Sequence, residues 1–87
     1  MDKGYETIDS RLPAYVRLRD TLTARIAAGD WTPDHPIPSE ARLAIEFNVS
    51  VGTVRKAVDG LVDEGLLERR QGSGTYMRAP SFNATLF

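Results

Sequence analysis

Apolar residues in the first half of the chain recur at the three-to-four-residue spacing of an amphipathic helix. One stripe contains four of them: Tyr15, Leu18, Leu22 and Ile26. The pattern predicts a helix that begins at Pro13, which suits a first turn because it needs no backbone partner there. Gly29 is placed to end this helix in the left-handed conformation. Residues 30–38 contain three prolines, so they predict a connecting loop, with Trp31 and Ile37 in the core.

Two shorter helical patterns follow, over residues 39–47 and 50–61. Ser39 and Ser50 are favourable N-caps for these helices. Between the helices, Asn48 accepts the positive φ that a tight turn requires. The inward side of the last helix is formed by residues at helical spacing: Val54, Ala57, Val58 and Leu61.

The last part of the pattern is typical of β-structure. Gly65 ends the third helix, and short β-type segments follow at 66–70 and 75–78. Between them, Gln71-Gly72-Ser73-Gly74 has two glycines in four residues, which fits a tight hairpin tip. The order predicts an α+β fold over residues 13–78, a winged helix-turn-helix of three helices followed by a two-stranded β-hairpin wing.

Size and composition exclude several classes of protein. The 87 residues allow one small core, and no run approaches the roughly 18 apolar residues of a membrane span. The polar N-terminus is no signal peptide. Zero cysteines and a single His35 leave no disulfide, thiolate zinc site or catalytic relay. We therefore expect a cytoplasmic protein that is not an enzyme and has no metal or cofactor. Residues 1–12 lack periodicity, so we expect them to form a flexible arm.

The net charge of −1 argues against strong nonspecific binding to nucleic acid. Net charge is summed over all faces, however, whereas phosphates meet only one of them. The second half of the chain holds these basic residues: Arg42, Arg55, Lys56, Arg69, Arg70 and Arg78. Acidic residues crowd the first half, so we expect a polarised domain with one locally positive face.

The helix at 50–61 is the candidate reader of a major groove, whose base edges contact side chains near a helix N-terminus. The small residues Gly52 and Thr53 let the backbone approach closely. Arg55 suits a bidentate contact to guanine O6 and N7, and Lys56 suits a phosphate. The alternative is that Arg55 and Lys56 only solvate a surface helix.

The helix at 39–47 is a candidate for contacts with the phosphate backbone. Amides near Ser39 suit a phosphate through the helix dipole, although Ser39 also serves as a simple cap. Arg42 either contacts phosphate or pairs with Glu46 one turn later.

The predicted wing, residues 71–74, is a candidate for the minor groove, because glycine permits close approach and Gln71 can hydrogen-bond. Adjacent Arg69 and Arg70 point to opposite faces of the hairpin, so one of them is expected to face DNA. The alternative is a plain exposed turn. The candidate contacts in the wing are Arg70, Gln71, Gly72, Ser73 and Gly74.

These residues resemble the DNA-binding domain of GntR-family bacterial transcription regulators, most closely the HutC-like branch. The matching pattern includes Pro13, Tyr15, Leu22, Ile26, Gly29, P-I-P-S-E at 36–40, Leu43-Ala44, V-S at 49–50, T-V-R at 53–55, E-G-L-L at 64–67 and R-R-Q-G-S-G-T-Y at 69–76. The resemblance implies an operator-binding regulator, usually a repressor, that acts as a homodimer on palindromic double-stranded DNA. Ser50, in the matching V-S pair, is a further expected DNA contact. It also implies a larger C-terminal domain for a small-molecule effector, so residues 79–87 are expected to start a linker to it.

The chain departs from the family pattern at two positions. Family members commonly have DNA-contacting arginines right after P-S-E and right after V-S, where this chain has Ala41 and Val51. Arg42 lies one residue from the first position, about 100° further round the helix. We expect an altered operator or weaker binding. The alternatives to an operator-binding fragment are a protein-interaction module and a stand-alone small repressor.

Overall fold

The computed structural model describes residues 12–78. Its elements are α1 (Ala14–Ala28), α2 (Glu40–Phe47), α3 (Val51–Asp63), β1 (Leu67–Arg70) and β2 (Gly74–Met77). Three helices followed by an antiparallel hairpin are the predicted winged helix-turn-helix, so the fold prediction is confirmed. The predicted linker at 79–87 and the predicted arm, apart from Leu12, lie outside the described residues.

Serine side chains begin α2 and α3, as the sequence predicts. The Ser39 hydroxyl accepts a hydrogen bond from the Arg42 backbone N–H at 3.2 Å. The Ser50 hydroxyl accepts one from the Thr53 N–H at 3.1 Å. Each cap satisfies a backbone donor that the helix itself leaves unpaired. Such a cap stabilises its helix by about 1 kcal/mol. At α1 no side chain caps the helix, which begins at Ala14 directly after Pro13.

A residue in the left-handed conformation follows each helix, directly at Gly29 and Asn48 and after Glu64 at Gly65, and all three are the predicted residues. At the end of α3, the Gly65 N–H donates to the Val62 carbonyl and the Leu66 N–H donates to the Leu61 carbonyl. This paired arrangement terminates a helix two residues before the glycine. The range 50–61 given for this helix stops two residues short, because α3 continues to Asp63, as the predicted stop at Gly65 requires.

The core lies where α1 and α2 pack against α3 and where α3 packs against the hairpin. Its buried members are Leu18, Leu22, Ile37, Leu43, Ala44, Val54, Ala57, Val58, Leu61 and Leu67. Trp31 and Val49 pack against this core but are only partly buried. The predicted inward side of α3 is buried throughout, so its opposite side is left for solvent or a partner.

The wing is a two-stranded antiparallel hairpin tied to the loop that precedes α2. Arg70 pairs with Gly74 in the last register position, so the turn is 71–73 and the predicted assignment of Gly74 to the tip is wrong. The Ile37 N–H donates to the Thr75 carbonyl at 2.8 Å. The loop thus forms an isolated β-bridge to β2, between Pro36 and Tyr76, which holds the wing beside the start of α2. Within residues 12–78 no helix is long and apolar enough to cross a membrane.

Candidate nucleic-acid interface

The side of α3 that faces away from the core carries the predicted groove-reading residues. Gly52, Arg55 and Lys56 are exposed and Thr53 is half-buried. We call these four residues the outer face of α3. Since the inward residues at helical spacing fill the core, the amphipathic pattern by itself fixes which side chains this face presents.

The first turn of α3 is held by hydrogen bonds of Ser50 and leaves the backbone accessible at residue 52. The Ser50 hydroxyl accepts from the Thr53 N–H and donates to Thr53 Oγ1 at 3.0 Å. A Cβ added at Gly52 would meet only Ser50 Oγ, at 3.8 Å, which is an ordinary van der Waals distance. Packing within the protein therefore does not require glycine at residue 52.

An ion-pair cluster joins the start of α2 to α3 and β1, and it consists of Glu40, Arg55, Asp59 and Arg69. Arg55 Nε donates to Glu40 Oε1 at 3.1 Å. Arg69 Nη1 donates to the other carboxylate oxygen, Oε2, at 2.9 Å, and its Nη2 donates to Asp59 Oδ1 at 2.6 Å. Hydrogen bonding to Glu40 is the main cause that raises the pKa of Arg69.

Local sequence patterns did not predict Glu40 or Asp59 at the site, and they offered Arg69 only as the alternative to Arg70. Partners of Glu40 lie 15 and 29 residues away along the chain, and no local spacing rule reaches that far. The available signal was strand alternation, which sends Arg69 and Arg70 to opposite faces. The structure places Arg69 on the face of the hairpin that meets α2 and α3, where it shares the Glu40 carboxylate with Arg55.

The other basic candidates lie around this cluster in different environments. Lys56 Nζ sits 4.3 Å from the centre of the Tyr15 ring, a cation–π contact between α3 and α1. The expected alternative pairing of Arg42 with Glu46 is wrong, because Glu46 pairs with Arg25 at 2.5 Å. Arg25 is also stacked over Phe47. Among residues 12–78, the exposed Arg42 side chain has no ion-pair partner.

The exposed turn of the wing contains Gln71, Gly72 and Ser73. Ser73 Oγ and the Tyr76 hydroxyl share a hydrogen bond of 2.6 Å. Arg70 lies over the Tyr76 ring at 4.0 Å and its Nε donates to Glu68 at 2.7 Å. These contacts, all on the Tyr76 face of the hairpin, support the turn from one side, while Gln71 is exposed to solvent.

A winged helix with an exposed, partly basic face on its third helix is typical of the small DNA-binding domains of transcription regulators. Residues 14–77 match the family described as "Bacterial regulatory proteins, gntR family", and the chain belongs to this family. The resemblance seen in the sequence is thereby confirmed.

Two curated relatives illustrate the relationship. The HTH-type transcriptional repressor NagR of Bacillus subtilis (strain 168) is 40% identical over 77 residues, which are 88% of this chain and 32% of that protein. The histidine utilization repressor of Klebsiella aerogenes is 40% identical over 75 residues, 86% of this chain and 31% of that protein. The chain thus spans about a third of the length of the curated relatives it matches.

Among solved structures, the chain is similar to the AraR DNA-binding domain in complex with operator ORE1. The TM-score is 0.73 at 40% sequence identity, and the similarity covers 77% of this chain and 82% of that one. A complex of the same domain with operator ORR3 gives the same TM-score and identity. These likenesses confirm the winged-helix fold.

Proposed function

We propose that this domain binds double-stranded operator DNA in a sequence-specific manner, as part of a bacterial transcription regulator that acts as a repressor. The helix α3 enters the major groove with its outer face against the base edges. The exposed turn 71–73 enters the adjacent minor groove. The observation that carries the proposal is the outer face of α3, since it presents a planar guanidinium and small residues at one helix start.

The contacts fall into two groups with different consequences. Arg55 and Thr53 read bases, since their side chains lie on the outer face of α3. Ser39, Ser50 and Arg42 hold phosphates from the first turns of α2 and α3, where backbone N–H groups other than the capped ones of Arg42 and Thr53 lack a partner within the helix. The remaining proposed contacts are with the DNA backbone and the minor groove: Gly52, Lys56, Arg70, Gln71, Gly72, Ser73 and Gly74.

Binding to a labelled operator from the gene's own upstream region tests the proposal. Replacing Arg55 by alanine should weaken this binding by about 1–3 kcal/mol, the worth of one bidentate contact to a base. Arg78→Ala is the matched control, because it removes the same charge. The Arg78 backbone N–H donates to the Leu66 carbonyl, which places Arg78 beyond the C-terminal end of α3, away from Arg55. Unchanged binding by the Arg55 variant would show that the recognition helix is wrongly assigned.

A second candidate function is a protein-interaction module, and an exposed isoleucine favours it. Ile45 on α2 is 81% exposed, beside Arg42 and Glu46 on the outward side. Ile45→Ser distinguishes the two functions, because it should leave operator binding unchanged if DNA is the partner. Failure of the wild-type domain to prefer its operator over unrelated DNA would favour the protein partner instead.

We also propose that the domain works within a longer, homodimeric regulator in the cytoplasm, where it reads one half of a palindromic operator. The greater length of the relatives supports this. Residues 79–87 then begin the linker to a domain that binds a small-molecule effector. Because one domain reads only one half-site, residues 1–87 alone should be monomeric or weakly self-associating in sedimentation and should bind operator weakly. A tight dimer at micromolar concentration would contradict this expectation.

A further inference from the structure

We propose that Val51 contacts a base directly, with its methyl groups packed against the 5-methyl group of a thymine in the major groove. The inference rests on the proposed function. It goes beyond the altered operator or weaker binding expected from the sequence, because it names the base. Val51 is the first residue of α3, and it is 40% exposed. It belongs neither to the core nor to the apolar residues that pack against the core.

Folding does not account for the apolar side chain at residue 51. Val58, two turns further along α3 and at nearly the same angle around the helix, is buried. The same stripe is therefore covered in the middle of α3 and open at its first turn. Valine has a lower helix propensity than alanine, so an exposed valine does not favour the helix. Single exposed apolar side chains are common on proteins, and what distinguishes Val51 is its position.

Val51 lies one turn before Arg55, the proposed reader of guanine. Side chains four residues apart are neighbours on a helix surface, with Cβ atoms about 5–6 Å apart. Their separation along the helix axis is about 6 Å, which corresponds to about two base-pair steps of 3.4 Å. The thymine that Val51 contacts should therefore lie within about two base pairs of the guanine that Arg55 reads.

The rest of the first turn of α3 leaves Val51 as its main apolar surface. Gly52 has no side chain, and the hydroxyls of Ser50 and Thr53 are joined by a hydrogen bond of 3.0 Å. Val51 has no polar side-chain atom to offer a base. Among the base edges of the major groove, the group that matches an apolar side chain is the methyl group of thymine.

Valine suits such a contact because its side chain is stiff. Branching at Cβ leaves one strongly preferred χ1 rotamer in a helix, so little side-chain freedom is lost when the methyl groups meet a base. The hydrogen bond from the Thr53 N–H to Ser50 Oγ holds the backbone of the same turn. Both methyl groups of Val51 are therefore held in one orientation before DNA binds.

The experiment replaces each thymine of the operator, one at a time, by deoxyuridine. Deoxyuridine lacks only the 5-methyl group, so base pairing and the hydrogen-bonding groups of the base are kept. Dissociation constants for the thymine and deoxyuridine operators are measured with the 87-residue chain at one salt concentration. Burial of one methyl group corresponds to about a fourfold change in dissociation constant. We expect a ratio of about this size at one thymine in each half-site.

Val51→Ala should weaken binding to the thymine operator and bring this ratio close to one. Val51→Thr keeps the shape and one methyl group, so its ratio should lie between those of wild type and Val51→Ala. Ile45→Ala is the matched control, because it removes an exposed apolar side chain from α2 and should keep the wild-type ratio. Thermal unfolding checks that the variants are folded, and an exposed position predicts no loss of Tm for any of them.

Two outcomes overturn the proposal while operator binding itself stands. One is a ratio near one at every thymine for the wild-type chain. The other is a ratio that Val51→Ala leaves unchanged, because the methyl group then acts through another residue or through the shape of the DNA. Loss of operator preference by the wild-type chain, or no effect of Arg55→Ala, instead refutes the proposed function.

Discussion

Gly52→Ala separates the stability of this domain from its function. Gly52 is in the first turn of α3, at the second position after the Ser50 cap. A methyl group there would lie 3.8 Å from Ser50 Oγ and touch nothing else within 4 Å. Because glycine costs about 0.5–1 kcal/mol relative to alanine within a helix, we expect the variant to be more stable by up to about that amount.

The same methyl group should weaken binding to operator. In the proposed complex it lies between the α3 backbone and the DNA, so the helix has to move outward. A shift of this kind degrades a bidentate base contact worth about 1–3 kcal/mol. We therefore expect affinity for operator to fall by about five- to 150-fold while affinity for unrelated DNA changes less.

Thermal unfolding and a binding titration on the same preparation provide the test. A gain of 0.5–1 kcal/mol raises the Tm of a domain this size by about 2–8 °C. Gly60→Ala is the matched control on α3. Its methyl would meet Arg19 Cδ at 3.1 Å and Nη1 at 3.3 Å, on the side packed against α1. This flexible side chain has to yield slightly, but operator binding should not change.

Two results would refute the reasoning. Wild-type operator affinity in a folded Gly52→Ala domain would mean that the α3 backbone does not approach DNA at residue 52. Equal losses of operator affinity in the Gly52 and Gly60 variants would mean that the effect comes from altered packing of α3 and not from contact with DNA.

Three further predictions concern the fold. Leu22→Ala should destabilise the domain by about 2–5 kcal/mol in urea unfolding, because Leu22 is fully buried; a loss below about 1 kcal/mol would contradict this core. Ser50→Ala should cost about 0.5–2 kcal/mol through its cap, and an unchanged urea midpoint would show that the cap does not contribute. Gly74→Ala should destabilise more than Gly72→Ala in thermal unfolding. Both glycines have positive φ, but only the methyl at Gly74 would press on Pro36, at 3.2 Å; the reverse order would show that this contact yields.

Locally encoded features of this domain were readable from the sequence. The left-handed ends of the helices fell at Gly29, Asn48 and Gly65, since each end depends on one residue's φ preference and on its neighbours. Buried positions on α3 followed from spacing alone. Only the range 50–61 stopped short on α3, because the apolar stripe ends at Leu61, whereas the backbone hydrogen bonds around Gly65 set the boundary.

Interactions between distant residues were not readable. The sequence offered an ion pair of Arg42 with Glu46, but Glu46 pairs with Arg25 across the gap between α1 and α2. A local pair on an exposed helix is worth only a few tenths of a kcal/mol. Such a small preference is easily overridden by a partner that packing brings close, here with the added stacking of Arg25 on Phe47.

The candidate site shows the same division. The sequence by itself determined that Gly52, Thr53, Arg55 and Lys56 share the outer side of one helix, because helical periodicity fixes which side chains share a side. Only the tertiary structure decided that Glu40 contacts Arg55 there and that Arg69 shares the same carboxylate. Those contacts depend on how α2 and the wing dock on the core, and docking is set by the packing of side chains far apart in the chain.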